Sequence, residues 1–324
     1  MGNNHNGGHD DNKDDKPFDG RTYLYIRDNL ADTGVEPSPS SPPQWLSPDI
    51  AVTPPGGSPG DNPVVGVPND VTITVRNGGG MPAVDVWVDV FVADPTTGWT
   101  PALAFPVGGV YIDVAPYSIA SANLTWTPIP GPSHRCMLAR CSLIVPPDTY
   151  ANPSVFDVPN DRHVAQRNLN LVEMPKDQKM MSFGFMIVNP MNEPAEFMVR
   201  ADHVEATPRN IEMLRAAVGC GFAQFGETAL RNFALTIGER ITPEKTDGMF
   251  GVLREPIRDF TPGTAPQQQV QETLRLEPGE GRRAALTIER NFHTRPGDLH
   301  IMEIAQIHMK TRRAVGGLWV VIQH

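Results

Sequence analysis

Residues 71–75 (VTITV), 77–80 (NGGG) and 84–92 (VDVWVDVFV) form the stretch on which the fold turns. On both sides of the glycine run, apolar and other residues alternate with a period of two, the period of a half-buried strand and not of a helix. Val84, Val86, Val88, Val90 and Val92 are expected on one face, and NGGG is expected to close a hairpin between the two strands. A phosphate-binding loop would need a following helix and a lysine, so the glycines read as a turn.

Outward from this stretch, further strands are expected near 107–114, 119–126, 136–145 and 164–172, each bounded by Pro, Gly or Asn. Seven or so short strands with such turns make a sandwich. The second half then repeats the first. Asn77 follows ITVR and precedes Pro82 and Ala83; Asn189 follows FMIV and precedes Pro194 and Ala195 at the same offsets. Later, Pro130, Gly131, His134, Leu138 and Ala139 match Pro296, Gly297, His300, Ile304 and Ala305 position for position. Both copies then close with an apolar strand, RNLNLV in the first and GGLWVVI in the second, and three matches in one order point to two copies of one β-rich unit. The spacing between the matched landmarks is larger in the second copy, which implies an insertion of about 54 residues. It falls near 203–262, where Thr207 is placed to cap a helix that begins at Pro208 and carries Ile211, Leu214, Arg215 and Val218 before Gly219. A second amphipathic run, 227–237, fits helix or strand.

The expected fold class is therefore all-β: two tandem immunoglobulin-like β-sandwiches, the second with an inserted, partly helical segment. The expected organisation is an acidic disordered tail (1–19), a lead-in strand and Pro/Ser linker (20–46), a first domain (47–175) and a second (176–324). The tail is Asn, Gly and Asp with one Phe, too polar to offset the entropy of ordering. Its His5, His9 and Asp10 read as solvated groups.

Composition narrows the function. The chain has 324 residues, 33 Pro, 29 Gly and a formal net charge of -10. No basic stripe offsets that charge, so nucleic acid is not an expected partner. No run of apolar residues is long enough to span a bilayer, and residues 1–16 lack the basic and apolar regions of a secretory signal. The expectation is a chain synthesised as a soluble cytoplasmic protein, with its final location open. Of the three cysteines, Cys136 and Cys141 would stand ~16 Å apart on one strand, beyond disulfide reach. A Cys136–Cys220 bridge stays geometrically open, and reduced, buried thiols are the expected state.

SPDI, VTITVRNGGG, VDVWVDVFVADP, TWTPIPG and HRCMLARC, over about residues 20–175, resemble bacterial immunoglobulin-like adhesion modules of the CARDB type. YIRDNLADTG is similar to the lead-in found before such modules when they follow a catalytic domain. The resemblance implies an immunoglobulin-like sandwich with adhesion or accessory roles, and it supplies no catalytic residues.

Candidate residues are few. His134 and His300, at matching positions, read as turn-adjacent histidines bonded to backbone. His300, Glu303 and His308 cannot share a metal, because on one strand the histidines stand ~26 Å apart and Glu303 faces the other way. His203 beside Asp202 is a better pair but not a closed site. Cys220 follows the predicted helix between glycines, where a helix C-terminus would raise its pKa. Of Trp87, Trp99, Trp126 and Trp319, Trp99 in the polar PTTGWTP loop is the one expected to be exposed and able to stack on a sugar. Neither a nucleophile elbow nor a protease signature occurs. No catalytic residue, cofactor or metal is expected, and Trp99, His203 and Cys220 remain as weak binding candidates. The expected function is a non-enzymatic structural or protein-protein interaction protein, engaging a partner or copies of itself. The alternative is an accessory carbohydrate-binding or adhesion module acting beside a hydrolase.

Overall fold

The computed structural model describes residues 18–100, 104–128, 136–174, 177–218, 224–225, 232–241, 269–289 and 298–324. The tail to residue 17, His134, Cys220 and hence any Cys136–Cys220 bridge, the Pro-Gly turns and much of the insertion lie outside the described residues. The protein is all-β, with one α-helix and a 3-10 turn at Val158–Asn160 among the described residues.

The first half contains β1 (Leu24–Tyr25), β2 (Ile50–Thr53), β3 (Asn69–Asn77), β4 (Ala83–Ala93), β5 (Phe105–Val114), β6 (Ser118–Trp126), β7 (Cys136–Leu143), β8 (Asp148–Thr149) and β9 (Val164–Arg167). One sheet sets β1 and β2 on one side of β3 and β6 on the other; the second runs β5-β4-β7-β8, with β9 also on β7. Leu24, Ile73, Val75, Val88, Val90 and Cys141 meet between them in a single apolar core. Two expectations change here. The strands flanking NGGG do not pair as a hairpin: β3 and β4 lie in different sheets, and the lead-in β1 takes the place beside the end of β3. The glycines make room for it, since a Cβ on Gly79 would lie 2.1 Å from the Arg21 carbonyl oxygen. Nor do all five valines share a face. A register shift between Ala83 and Val86, with Asp85 at φ 59°, leaves Val84 exposed while Val86, Val88, Val90 and Val92 are buried.

The second half contains β10 (Leu169–Glu173), β11 (Met180–Val188), β12 (Ala195–Val204), α1 (Pro208–Val218), β13 (Gln224–Phe225), β14 (Asn232–Ile241), β15 (Gln269–Leu276), β16 (Gly281–Glu289), β17 (Asp298–His308) and β18 (Arg313–Gln323). Its sheets, β10-β18-β17-β12-β15 and β11-β16-β14, enclose a separate core around Phe185, Phe197, Leu286 and Ile304. The matched asparagines do the same work. Asn77 donates to the Met81 and Val114 carbonyls and accepts from Gly79 N–H; Asn189 donates to those of Glu193 and Leu276 and accepts from Met191 N–H. Each clamps a turn to the end of the strand beyond it. The insertion follows β12, and α1 begins where Thr207 Oγ accepts the Asn210 N–H. Its later part is no mere graft: β14 joins the sheet through β16 and buries Phe233 and Leu235.

The single strand expected over 164–172 is two strands in two sheets. β9 pairs with β7, and one residue later β10 pairs in parallel with β18. Between them stands Asn168. Its buried amide donates to the carbonyls of Thr96 at 2.6 Å and Gly317 at 2.7 Å, and its Oδ1 accepts from Cys136 Sγ. Its own N–H and C=O bond to Trp45 and Trp319. Around it the Thr96–Gly98 turn enters the second sandwich, where Thr97 Oγ1 donates to Gln306 at 2.6 Å. The lead-in is not an extended linker either. Asn29 holds the carbonyls of Pro39 and Pro42, which lie in a stretch poor in N–H donors, and Trp45 lies so close to Gly317 that a Cβ there would approach its ring to 2.7 Å.

A charge network ties the lead-in to the first sandwich. His163 bonds Asp148 and Asp161 through its two ring nitrogens, each at 2.9 Å, and Arg162 reaches Asp148 at 2.6 Å and Glu36 at 3.3 Å. Burial alone would lower the His163 pKa, but the two carboxylates outweigh it and hold the ring above its ordinary 6.5. Burial would raise Asp148 and Asp161, yet hydrogen bonds from His163 and backbone N–H groups hold both below 3.8. The His163 contribution is thus complete below pH 6.5 and fades as pH rises through the folded value; that of the aspartates is complete above 3.8 and fades on acidification.

Two outcomes are expected. Asn168→Ala leaves two buried carbonyls without donors and costs about 3 kcal/mol in urea unfolding; Asn168→Asp, which cannot donate, is no better. Raising the pH from about 6 to about 9 lowers the stability of the wild type relative to His163→Gln, and parallel pH dependences in thermal melts would refute the linkage.

Candidate functional site

The residues singled out from sequence do not come together. Trp99 is 3% exposed, packed edge-on to Phe156 at 6.4 Å in a small core with Cys136, Leu138 and Val164. Its loop folds inward because Pro95 and Thr97 pair with Met186 of the second sandwich, so this ring is closed to a sugar. Cys220 lies outside the described residues. Cys136 and Cys141 are buried thiols, and burial pushes the Cys141 thiol well up.

The strand pleat separates His203 from Asp202. His203 faces inward, in a row with His300 at 5.8 Å and His324 beyond it at 4.9 Å from His300. Burial and the neighbouring His300 push its pKa down to about 4, so it is a neutral, half-buried histidine at physiological pH. Asp202 faces outward, where Arg200 pairs with it at 2.5 Å and Glu303 lies opposite on β17. Burial raises the Glu303 pKa, and Trp319 Nε1 donates to its carboxylate at 2.9 Å. Glu36, Asp161 and His163 hold potential ligand atoms within 4.8 Å of one another. Both His163 nitrogens are already engaged by carboxylates and Glu36 by Arg162, which makes the group an ion-pair network.

The open flank of the first sandwich offers more. Among the described residues β5 ends one sheet and β6 ends the other, and they run close without a ladder between them. Tyr111 is 63% exposed and Ile119 58%, with Phe105 and Tyr117 also exposed. Beneath them Val110, Ile112, Leu124 and Trp126, whose side chains face the core, are only half-buried. On the outer face, Trp87 lies flat across Gly109, where a Cβ would meet its ring at 2.0 Å, and Tyr111 tilts against it at 4.8 Å. Asp85 and Asp113 flank this pair on one side, and the Asp89–Arg140 ion pair, at 2.6 Å, on the other. Asp85 and Tyr117 both hold positive φ, 59° and 50°, a conformation that costs a side-chain-bearing residue roughly 1–2 kcal/mol. Trp87 shares the side of its strand opposite the valines with Asp85, Asp89 and Phe91, as the alternation of VDVWVDVFV requires. What the sequence did not carry was that, among the described residues, β5 ends its sheet.

No family model matches the chain, and no curated protein matches it. Among solved structures, a CARDB domain from Pyrococcus furiosus, in complex with di-metal ions, is similar at 15% identity over 36% of this chain and 84% of that chain, with a TM-score of 0.25. The collagen adhesin from S. aureus is similar at 8% identity over 86% of this chain and 94% of that chain, TM-score 0.24. The N-terminal domain of PorA is similar at 8% identity over 48% of this chain and 88% of that chain, TM-score 0.23. These likenesses are of β-rich architecture, and what those proteins bind carries no argument for this chain.

Proposed function

We propose that the chain is a non-enzymatic structural or protein-interaction component, and that it associates with a second copy by pairing β5 to β5 at the open edge. The observation that carries this reading is the unfinished flank: an edge strand with exposed Tyr111 over half-buried Val110 and Ile112. Sheet edges usually carry charges or are covered, and an apolar, uncovered one invites strand addition. β5 (FPVGGVYIDV) carries one charge, Asp113 near its end. Antiparallel pairing about Gly108 and Gly109 sets the two Asp113 carboxylates far apart, so self-association meets no like-charge barrier. Pro106, without an N–H, limits the ladder to the residues after it.

A second reading, carbohydrate binding, is supported by the Trp87–Tyr111 pair with carboxylates beside it, since an aromatic face stacks on sugar C–H groups while carboxylates take hydroxyls.

Light scattering over a concentration series is expected to show a dimer for the wild type, and Tyr111→Lys with Ile119→Lys to weaken it about tenfold or more. A wild type that stays monomeric at high concentration overturns the proposal. For the second reading, a glycan array is expected to show binding lost in Trp87→Ala and kept in Tyr117→Ala; a silent array disposes of it.

A further inference from the structure

We propose that the cleft between the two sandwiches binds an oxyanion group, a carboxylate or a phosphate, through Arg312 and Arg313. The cleft has a volume of about 550 Å³, within the range of small-ligand sites. Its walls come from four places: Gln44 of the lead-in, Asp157 and Asn160 of the turn before β9, Asn192 of the turn between β11 and β12, and His308, Arg312 and Arg313 of the β17–β18 hairpin.

The arginines mark the chemistry. Arg27 and Arg76 pair with Asp49, Arg140 with Asp89, Arg162 with Asp148 and Arg200 with Asp202. Arg312 and Arg313 pair with no carboxylate among the described residues; the Arg312 guanidinium donates to Met309 Sδ at 3.8 Å. Arg312 also holds φ at 58°, where glycine is the unstrained choice. A left-handed residue that carries a long cation to a cleft wall is strain placed where a ligand would meet it. Both arginines are exposed and line the cleft, and guanidinium forks suit a planar carboxylate or a phosphate, which accept paired N–H donors.

The other charges fix a sign. Asp157 shares the cleft, bonded by Asn160 at 2.8 Å, and burial raises its pKa. Its negative charge opposes an anion, while the guanidiniums favour one. His308 bonds Thr311 through Nδ1 at 3.0 Å, which fixes the base of the hairpin. Since the walls belong to both sandwiches, an occupant would stabilise their junction by mass action.

The test titrates the full chain with inorganic phosphate and, separately, with citrate, by calorimetry and thermal shift. Saturable binding of one or both probes is expected, with a raised melting temperature, and the probe that binds tells a phosphate from a carboxylate ligand. Arg312→Gln with Arg313→Gln should weaken it about tenfold or more, circular dichroism confirming that the double variant folds. Asp157→Asn should tighten it, and Lys310→Gln, outside the cleft, should leave it unchanged. No saturable binding of either probe, an affinity untouched in the double variant, weaker binding in Asp157→Asn, or an equal loss in Lys310→Gln would each overturn the proposal.

Discussion

Asn168 is the constraint on which the arrangement of the molecule depends. One buried amide and its own peptide groups meet Thr96 and Cys136 of the first sandwich, Gly317 and Trp319 of the second, and Trp45 of the lead-in. A buried polar group without partners is costly, so these segments hold one another in place or none is satisfied. The single residue between β9 and β10 leaves the chain no slack, and the change of sheet occurs where both sandwiches are already in contact.

This junction has consequences on both sides. It draws the Thr96–Gly98 turn into the second sandwich, which buries Trp99, and it seats Trp45 over Gly317, which turns a proline-rich stretch into a packed strap. It also brings the β17–β18 hairpin beside the turn before β9, and the cleft that carries Arg312 and Arg313 exists only because of that approach. Far from the junction the demands differ. Among the described residues no strand covers the β5–β6 flank, and Tyr111 and Ile119 are exposed there. Asp85, Tyr117 and Arg312 hold positive φ, two beside the open flank and one at the cleft. Strain of this kind persists only where surrounding structure enforces it, and here it coincides with the two surfaces that carry the binding proposals.

The β character, the matched asparagines and the helix starting at Pro208 were all legible in the chain. Each rests on local rules: a period of two, a capping hydroxyl, a side-chain amide that closes its own turn, a pleat that sends neighbours to opposite faces. The reading failed where local pattern met a distant partner. VTITV and VDVWVDVFV look like a hairpin, but Leu24 and Tyr25 hold the place beside β3. Trp99 sits among polar residues, and polarity within a loop does not reveal that the loop is inserted elsewhere.

Sequence alone determined that this protein is built of amphipathic strands around apolar interiors, because alternation and turn chemistry are properties of neighbours along the chain. Which strand ends a sheet, which tryptophan faces water, and which arginines lack a carboxylate were decided by tertiary structure. Those are outcomes of pairing between segments far apart in sequence, and the free energy that selects among pairings resides in contacts no single segment contains.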